Sequence, residues 1–195
     1  MRALEILAAI TLGSLLAFAL VWTAMTIGNK RTRQRQSLGQ RLAYMVPTIV
    51  GVLLVVGPAW NVETLEPLAG RVIPATLVWY AASAVLAVAG AGLAIWSRLT
   101  LGRNWSGMVT LKEGHTLVTS GPYAHIRHPI YTAVTMLLLG LYLLFGTAGG
   151  ALGLPFVVLG FWIKLRQEEK LMLAEFPDAY PAYMARTMRL LPYLV

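Results

Sequence analysis

Apolar runs alternate with short polar segments along this chain. Leu4 to Ile27 is almost unbroken, with Glu5 near its start. Leu42 to Trp60, Val72 to Trp96, Pro129 to Gly146 and Thr147 to Leu165 follow. Each holds roughly 17 to 25 residues, near the length that crosses about 30 Å of hydrocarbon as a helix. The pattern predicts an all-α integral membrane protein with about five transmembrane helices, one polytopic domain over 1–195. Ala17-Phe18-Ala19 is similar to a signal-peptidase site, but the apolar run continues to Ile27, which favours a retained anchor. Pro47, Gly51 and Pro58 fall within the second run, tolerable where neighbouring helices re-satisfy the backbone. Ala87, Gly90, Ala91 and Ala94 suit the third run to close helix packing. Gly149, Gly150 and Gly153 are expected to form the tight turn between the last two helices. The tail from Arg166 onward turns polar and then amphipathic. Its Tyr180, Tyr183, Met184 and Met188 are at helical spacing, as for a helix along the membrane face or against a loop.

Composition agrees. Charged residues make up 12% of the chain and the mean hydropathy is +0.66, against about 25% charged in a soluble domain. The absence of cysteine excludes disulfides, thiolate catalysis and cysteine-based metal sites. A net charge of +8 would suit nucleic acid, but the basic stretch from Lys30 to Arg41 has no interleaved aromatics for base stacking. Topology explains the charge better. With five crossings, the loop at 29–41, the connection at 98–128 and the tail share one side. Fourteen of the sixteen basic residues and five of the eight acids lie there, a net of +9 against −1 opposite. The positive-inside rule then predicts an outside N terminus and a cytoplasmic C terminus.

Candidate chemistry concentrates in residues 111 to 131, LKEGHTLVTSGPYAHIRHPIY, which hold all three histidines. Gly114, Gly121, Pro122 and Pro129 make this a shaped loop. Proline fits the first turn of a helix and pushes the preceding residue out of helical geometry. The fourth helix is therefore expected to begin at Pro129, with Arg127 and His128 at its mouth and Tyr131 within reach. The free amides of that turn suit an electron-rich group. The second polar piece is Arg166-Gln167-Glu168-Glu169-Lys170. Two carboxylates at the end of a membrane helix either mark the exit, with Lys164 and Lys170 as helical partners, or recognise a cationic ligand. A zinc site on His115, His125 and His128 is open, although the spacing is not HExxH. Ser120 lacks a nucleophile-elbow context.

Leu101-Gly102-Arg103-Asn104-Trp105-Ser106, Lys112 to Val118, Gly121-Pro122-Tyr123, Arg127-His128-Pro129-Ile130-Tyr131, Glu168-Glu169 and the tail from Glu175 to Pro192 together resemble the isoprenylcysteine carboxyl methyltransferase family. The resemblance spans 101–195. It implies a membrane enzyme using S-adenosylmethionine in a cytoplasmic pocket, with 98–195 as the catalytic half and no metal. It assigns cofactor contacts to His115, Thr116, Leu117, Val118, Tyr123, His128, Pro129, Tyr131 and Glu168. Lys164 stands where the family's substrate-binding arginine falls, and Arg166 lies close by; one of the two would orient an anionic acceptor. Lysine cannot reproduce a bidentate fork. Ala133 replaces a common glycine after Tyr131, and Pro177 one after Phe176. The implied acceptor is lipophilic and enters from the bilayer, with an isoprenylcysteine carboxylate first and a phospholipid amine or small thiol as alternatives. For an amine or thiol, His128 becomes a useful base. Two other readings stay open. One is a nicotinamide-dependent reductase of related fold, against which Ile130 and Ala133 argue. The other is a membrane accessory protein without catalysis.

Overall fold

A computed structural model describes residues 1–25, 32–34, 36–57, 63–112, 114, 116 and 117–190. Five long helices run alternately between two faces: α1 (Arg2–Ala24), α2 (Leu38–Val56), α3 (Leu77–Leu101), α4 (Pro129–Phe145) and α5 (Ala148–Glu175). A short α6 (Ala179–Arg186) follows. Four of them are long and apolar enough to cross a membrane, and α4 is shorter at 17 residues. The molecule is therefore an all-α, multi-pass membrane protein. Its one described strand pairing is a two-stranded ribbon, β1 (Thr32–Gln34) against β2 (Leu111–Lys112).

Two sets of contacts define the faces. On one, the ribbon joins the loop after α1 to the connection after α3. There the buried Arg98 also donates to the carbonyls of Met25 and Gly102, tying together the ends of α1 and α3. On the other, the amide of Val72 bonds Gly146 O at 2.6 Å and that of Ala148 bonds Gly70 O at 2.9 Å. So α4 reaches from one face to the other despite its length.

Helix α2 starts earlier than its apolar run because Ser37 and Gln40 form a reciprocal cap. Helix α3 starts later, since Arg71 to Ile73 is bonded to the α4–α5 turn, and it extends to Leu101. That turn is not at Gly149, Gly150 and Gly153. It is at Gly146, in the left-handed region at φ 66°, and Thr147 then caps α5 through the amide of Gly150. A left-handed residue ends a helix without a Cβ penalty only when it is glycine. The three later glycines lie inside α5, where they admit neighbours.

Small residues set the helix pairs. Gly51 of α2 faces Gly153 of α5 so closely that a Cβ on the latter would be 2.5 Å from Gly51 O. Gly90 of α3 faces Ala133 of α4, where a Cβ would be 2.8 Å from Ala133 O. Ala87, Ala91 and Ala94 are buried on the same face. Ala133, where the family pattern has glycine, is therefore accommodated by a glycine on the opposite helix. At membrane depth, Thr11 and Ser83 hydroxyls meet at 2.9 Å and Ser83 donates to Gly140 O at 2.8 Å, which joins α1, α3 and α4.

Arg71, one of two basic residues outside the positive side, serves as a helix cap. It donates to Ile73 O at 2.8 Å, Phe145 O at 2.8 Å and Leu144 O at 3.0 Å, taking up carbonyls at the end of α4. Arg71→Ala is expected to lower stability by about 1–2 kcal/mol, read as a lower midpoint of thermal unfolding in detergent.

Candidate active site

Residues 116–128 are shaped by two left-handed glycines, Gly114 and Gly121, both at φ 58°. Beyond Gly121 a single 3₁₀ turn, Gly121–Ala124, buries Tyr123. Helix α4 then begins at Pro129 as expected, with His128 as its N-cap in a non-helical conformation. Of its first-turn residues, Pro129 carries no amide hydrogen and the amide of Tyr131 bonds His128 O at 3.1 Å. The free-amide site expected there is thus partly occupied by the helix's own cap.

The loop meets the end of α5 across a cavity of about 510 Å³. Glu168 lies on its wall. Tyr131 donates its hydroxyl to Glu168 Oε1 at 2.5 Å, and His128 Nδ1 stands 3.6 Å from Glu168 Oε2. Thr116, Leu117, Val118, Tyr123, His128, Tyr131, Lys164 and Glu168 all line this space. Asn104 joins them and donates to Thr116 Oγ1 at 2.9 Å. His115 lies outside the described residues. Pro129 is buried beneath the site and starts the helix without lining the cavity. Arg166 is exposed, its guanidinium 5.6 Å from the Trp162 ring, and does not line the cavity either. Lys164 holds the cavity-side position: it donates to Gly107 O at 2.7 Å and lies over the rings of Tyr44 and Tyr131 at 5.3 and 5.5 Å.

Helical spacing explains that split. Lys164 and Glu168 are four residues apart and share one face of α5, whereas Arg166 is turned about 200° from Lys164. Glu169 follows Glu168 by about 100° and points the other way, into a cluster of arginines rather than into the cavity. The lysine pairing expected for a membrane exit is not the main one: Glu168 is engaged by Tyr131 and His128.

The cavity changes character with depth. Leu138, nine residues into α4, lines it, about 14 Å along the helix axis from the polar mouth. Phe18, Trp22, Val52, Val134 and Phe161 also belong to the apolar wall. Trp105, also lining it, stacks edge-on to Trp22 at 5.1 Å and carries the Arg98 guanidinium at 4.5 Å. Helix α6 packs against the loop rather than along a membrane face. Tyr180 and Tyr183 are buried, both line the cavity, and the Tyr183 hydroxyl donates to Tyr123 O at 2.7 Å.

Residue-by-residue reading missed Phe18, Trp22, Trp105 and Arg189. The two α1 aromatics are four residues apart on one helix face, which was visible, but nothing in the sequence said that the face met this loop. Of the two described histidines, His125 is exposed, while His128 is buried with both ring nitrogens facing carboxylates. Among the described residues no group of three His, Cys, Asp or Glu is placed to hold a metal.

Charge follows from this geometry. Burial works against a charged His128, but Glu168 and Glu169 outweigh it and raise its pKa above the usual value. Burial, reinforced by Glu168, pushes Tyr123 well up; burial and Glu169 do the same for Tyr180. Burial takes Tyr183 up to about 12. These phenols stay neutral and serve as walls and hydrogen-bonding groups. A raised histidine pKa contributes stability that is complete below about 6.5 and is lost as pH rises through the folded value. The unfolding midpoint is therefore expected to fall as pH increases above neutrality. His128→Asn should flatten that slope, measured by thermal unfolding from pH 6 to 9.

Residues 83–174 match the family model described as isoprenylcysteine carboxyl methyltransferase. Two curated relatives match about half of the chain. The cobalt-zinc-cadmium resistance protein CzcN of Cupriavidus metallidurans is 32% identical over 101 residues, 50% of this chain and 46% of that protein. The protein-S-isoprenylcysteine O-methyltransferase of Schizosaccharomyces pombe is 30% identical over 96 residues, 48% of this chain and 41% of that protein. The chain thus matches less than half the length of either. The matched segment carries most of α3, the polar loop, α4 and nearly all of α5, elements that line the cavity, and over this segment the chain is similar to the isoprenylcysteine carboxyl methyltransferase family.

Proposed function

We propose that this protein is a membrane methyltransferase that uses S-adenosylmethionine to methylate a lipophilic acceptor. The observation that carries the reading is one cavity that joins a carboxylate at its polar mouth to an apolar wall within the helix bundle. Its donor set fits the cofactor. Glu168 offers an acceptor to an amine or hydroxyl, and the Thr116 hydroxyl and the backbone of Thr116 to Val118 offer further polar partners at the same mouth. Tyr123, Tyr131, Trp22 and Trp105 supply aromatic faces of the kind that attract a cation. His115, in the same motif, is assigned to this contact by the family pattern alone. Bound there, the cofactor supplies an electrophilic methyl group on a positively charged sulfur.

The residues then have mainly to align donor and acceptor and exclude water. The apolar wall from Phe18 to Phe161 accommodates an acyl or prenyl chain arriving from the bilayer. Lys164 places positive charge on the cavity wall, where it orients an anionic acceptor group; Arg166 faces away. His128 acts as a cation that holds Glu168 in place. Because both of its nitrogens face carboxylates, it is poorly placed to remove a proton. That favours an acceptor already ionised at neutral pH, such as an isoprenylcysteine-type carboxylate, over an amine or a thiol. The positive face, which includes the loop, lies in the cytoplasm, with the N terminus outside.

Calorimetry on purified protein in detergent tests the donor, and transfer of labelled methyl from it tests the acceptor. Binding of S-adenosylmethionine or its demethylated product, with labelling of an S-prenylated N-acetylcysteine, is the expected result. No binding at millimolar concentration refutes the donor assignment. Labelling confined to phosphatidylethanolamine or an alkyl thiol refutes the carboxylate preference. Quenching of nicotinamide fluorescence would point to a reductase.

A further inference from the structure

Glu169 does not line the cavity, yet it is among the most buried charged side chains of the described residues, 4% exposed. Three cationic groups from two segments, the loop and the tail, converge on it. Arg127 of the loop donates through Nε at 3.0 Å. Arg189 of the tail donates through Nε at 3.1 Å and Nη2 at 2.7 Å, a forked pair. His128 Nε2 stands 3.3 Å from Oε1.

Each contact also constrains the cavity. An imidazole carries its two nitrogens on opposite sides of one rigid ring. With Nε2 on Glu169, Nδ1 is directed at Glu168. Arg127 and Arg189 meanwhile tie the tail to the loop. The amides of Arg127 and His128 bond Met188 O at 2.7 Å and Arg189 O at 3.1 Å, and Met188 bonds back to His125 O at 2.9 Å. Arg127 further donates to Met184 O at 3.1 Å and to Thr187 O. The segment fastened in this way carries Tyr180 and Tyr183, two of the cavity walls.

We propose that Glu169 is a positioning residue for donor binding: it sets the His128 ring against Glu168 and locks the tail that closes the cavity. This rests on the donor reading given above. The groups facing His128 are Glu168 and Glu169 from α5, Tyr131 from α4, its neighbour Arg127, and Arg189 across Glu169. Glu169→Gln keeps the shape and one acceptor oxygen but removes the charge that balances three cations.

The test compares the full-length protein with Glu169→Gln and Arg189→Gln. Donor dissociation constants are measured by calorimetry from pH 6 to 9, and hydrogen exchange of residues 185–190 is followed in parallel. Removing one charged partner of a buried cluster should weaken donor binding about 10-fold to 100-fold in Glu169→Gln. The pH at which affinity falls should also move downward, because His128 loses one of its two carboxylates. Arg189→Gln should weaken binding less, about 3-fold to 10-fold, with faster exchange in the tail. A merely structural role would lower stability without moving the pH of that step. Parent-like affinity and an unmoved step in Glu169→Gln would overturn the role. Should that variant not fold, Arg189→Gln decides: parent-like affinity with a loosened tail overturns the role, and weakened affinity supports it. If the unaltered protein binds no donor, the functional reading falls and this role with it. If it binds and both variants bind equally well, only the role falls.

Discussion

Glu168→Gln is expected to weaken binding of the proposed donor, S-adenosylmethionine, about 100-fold while the helix bundle stays folded. Truncating one partner of a buried, hydrogen-bonded charge pair costs roughly 2–5 kcal/mol, and about 1.4 kcal/mol is a factor of ten. Glutamine retains an oxygen for the Tyr131 hydroxyl, now 2.5 Å from Glu168, so the side chain keeps its place. What it loses is the negative charge that the cavity presents to a cationic ligand. His128 keeps Glu169 as its second carboxylate, and the tail keeps its ties to the loop through Arg127 and Arg189. Tyr131→Phe is a graded comparison: the carboxylate stays but one of its hydrogen bonds goes, and about a 10-fold loss follows. Calorimetry with the donor and its demethylated product reads both variants. Equal affinity in Glu168→Gln and the parent would remove the carboxylate from the site.

Gly153→Val is expected to cost about 3 kcal/mol or more and to leave little folded protein. The pairing of α2 with α5 depends on two backbones touching. A Cβ on Gly153 would be 2.5 Å from Gly51 O and 2.9 Å from the Leu54 Cβ, and one on Gly51 would be 2.6 Å from Gly153 O. The nearest atoms are backbone, so no side chain can rotate away, and the helices must separate. Separation would also open the cavity, because Thr48 and Val52 on α2 and Phe161 and Lys164 on α5 line it together. Gly13 and Gly92 supply the control. Nothing lies within 4 Å of a Cβ built on either, and alanine there is expected to be neutral or to gain up to about 1 kcal/mol of helix propensity. Thermal unfolding in one detergent separates the two classes. A Gly153→Val protein with the parent's midpoint would mean that α2 and α5 are not held by this contact.

The order of events along the chain is readable without coordinates. The five apolar runs appear as five helices, and Pro129 opens α4 where proline chemistry says it must. The Ala87 to Ala94 stripe is buried against a neighbour. Helix ends were less legible, because polar hooks set them. Ser37 extends α2 beyond its apolar run, Arg71 holds α3 back by engaging the far end of α4, and Gly146 makes the turn that was expected from Gly149 onward. Hydropathy registers none of these, since each is a local hydrogen bond or a single backbone angle.

The site divides in the same way. Residue types and spacing are properties of the chain, so they single out the loop from Thr116 to Tyr131 and the carboxylate pair Glu168-Glu169, and the resemblance names the family. Only the folded arrangement decides that adjacent carboxylates have opposite duties, one on the cavity and one among arginines. It alone turns Lys164 inward and Arg166 outward, and brings Phe18 and Trp22 from the far end of the chain to the same space. The reason is that helix periodicity orders the directions around one axis, whereas what lies in each direction depends on which helix packs there. That packing is settled by close backbone contacts at Gly51, Gly90 and Gly153, over distances that no local pattern can encode.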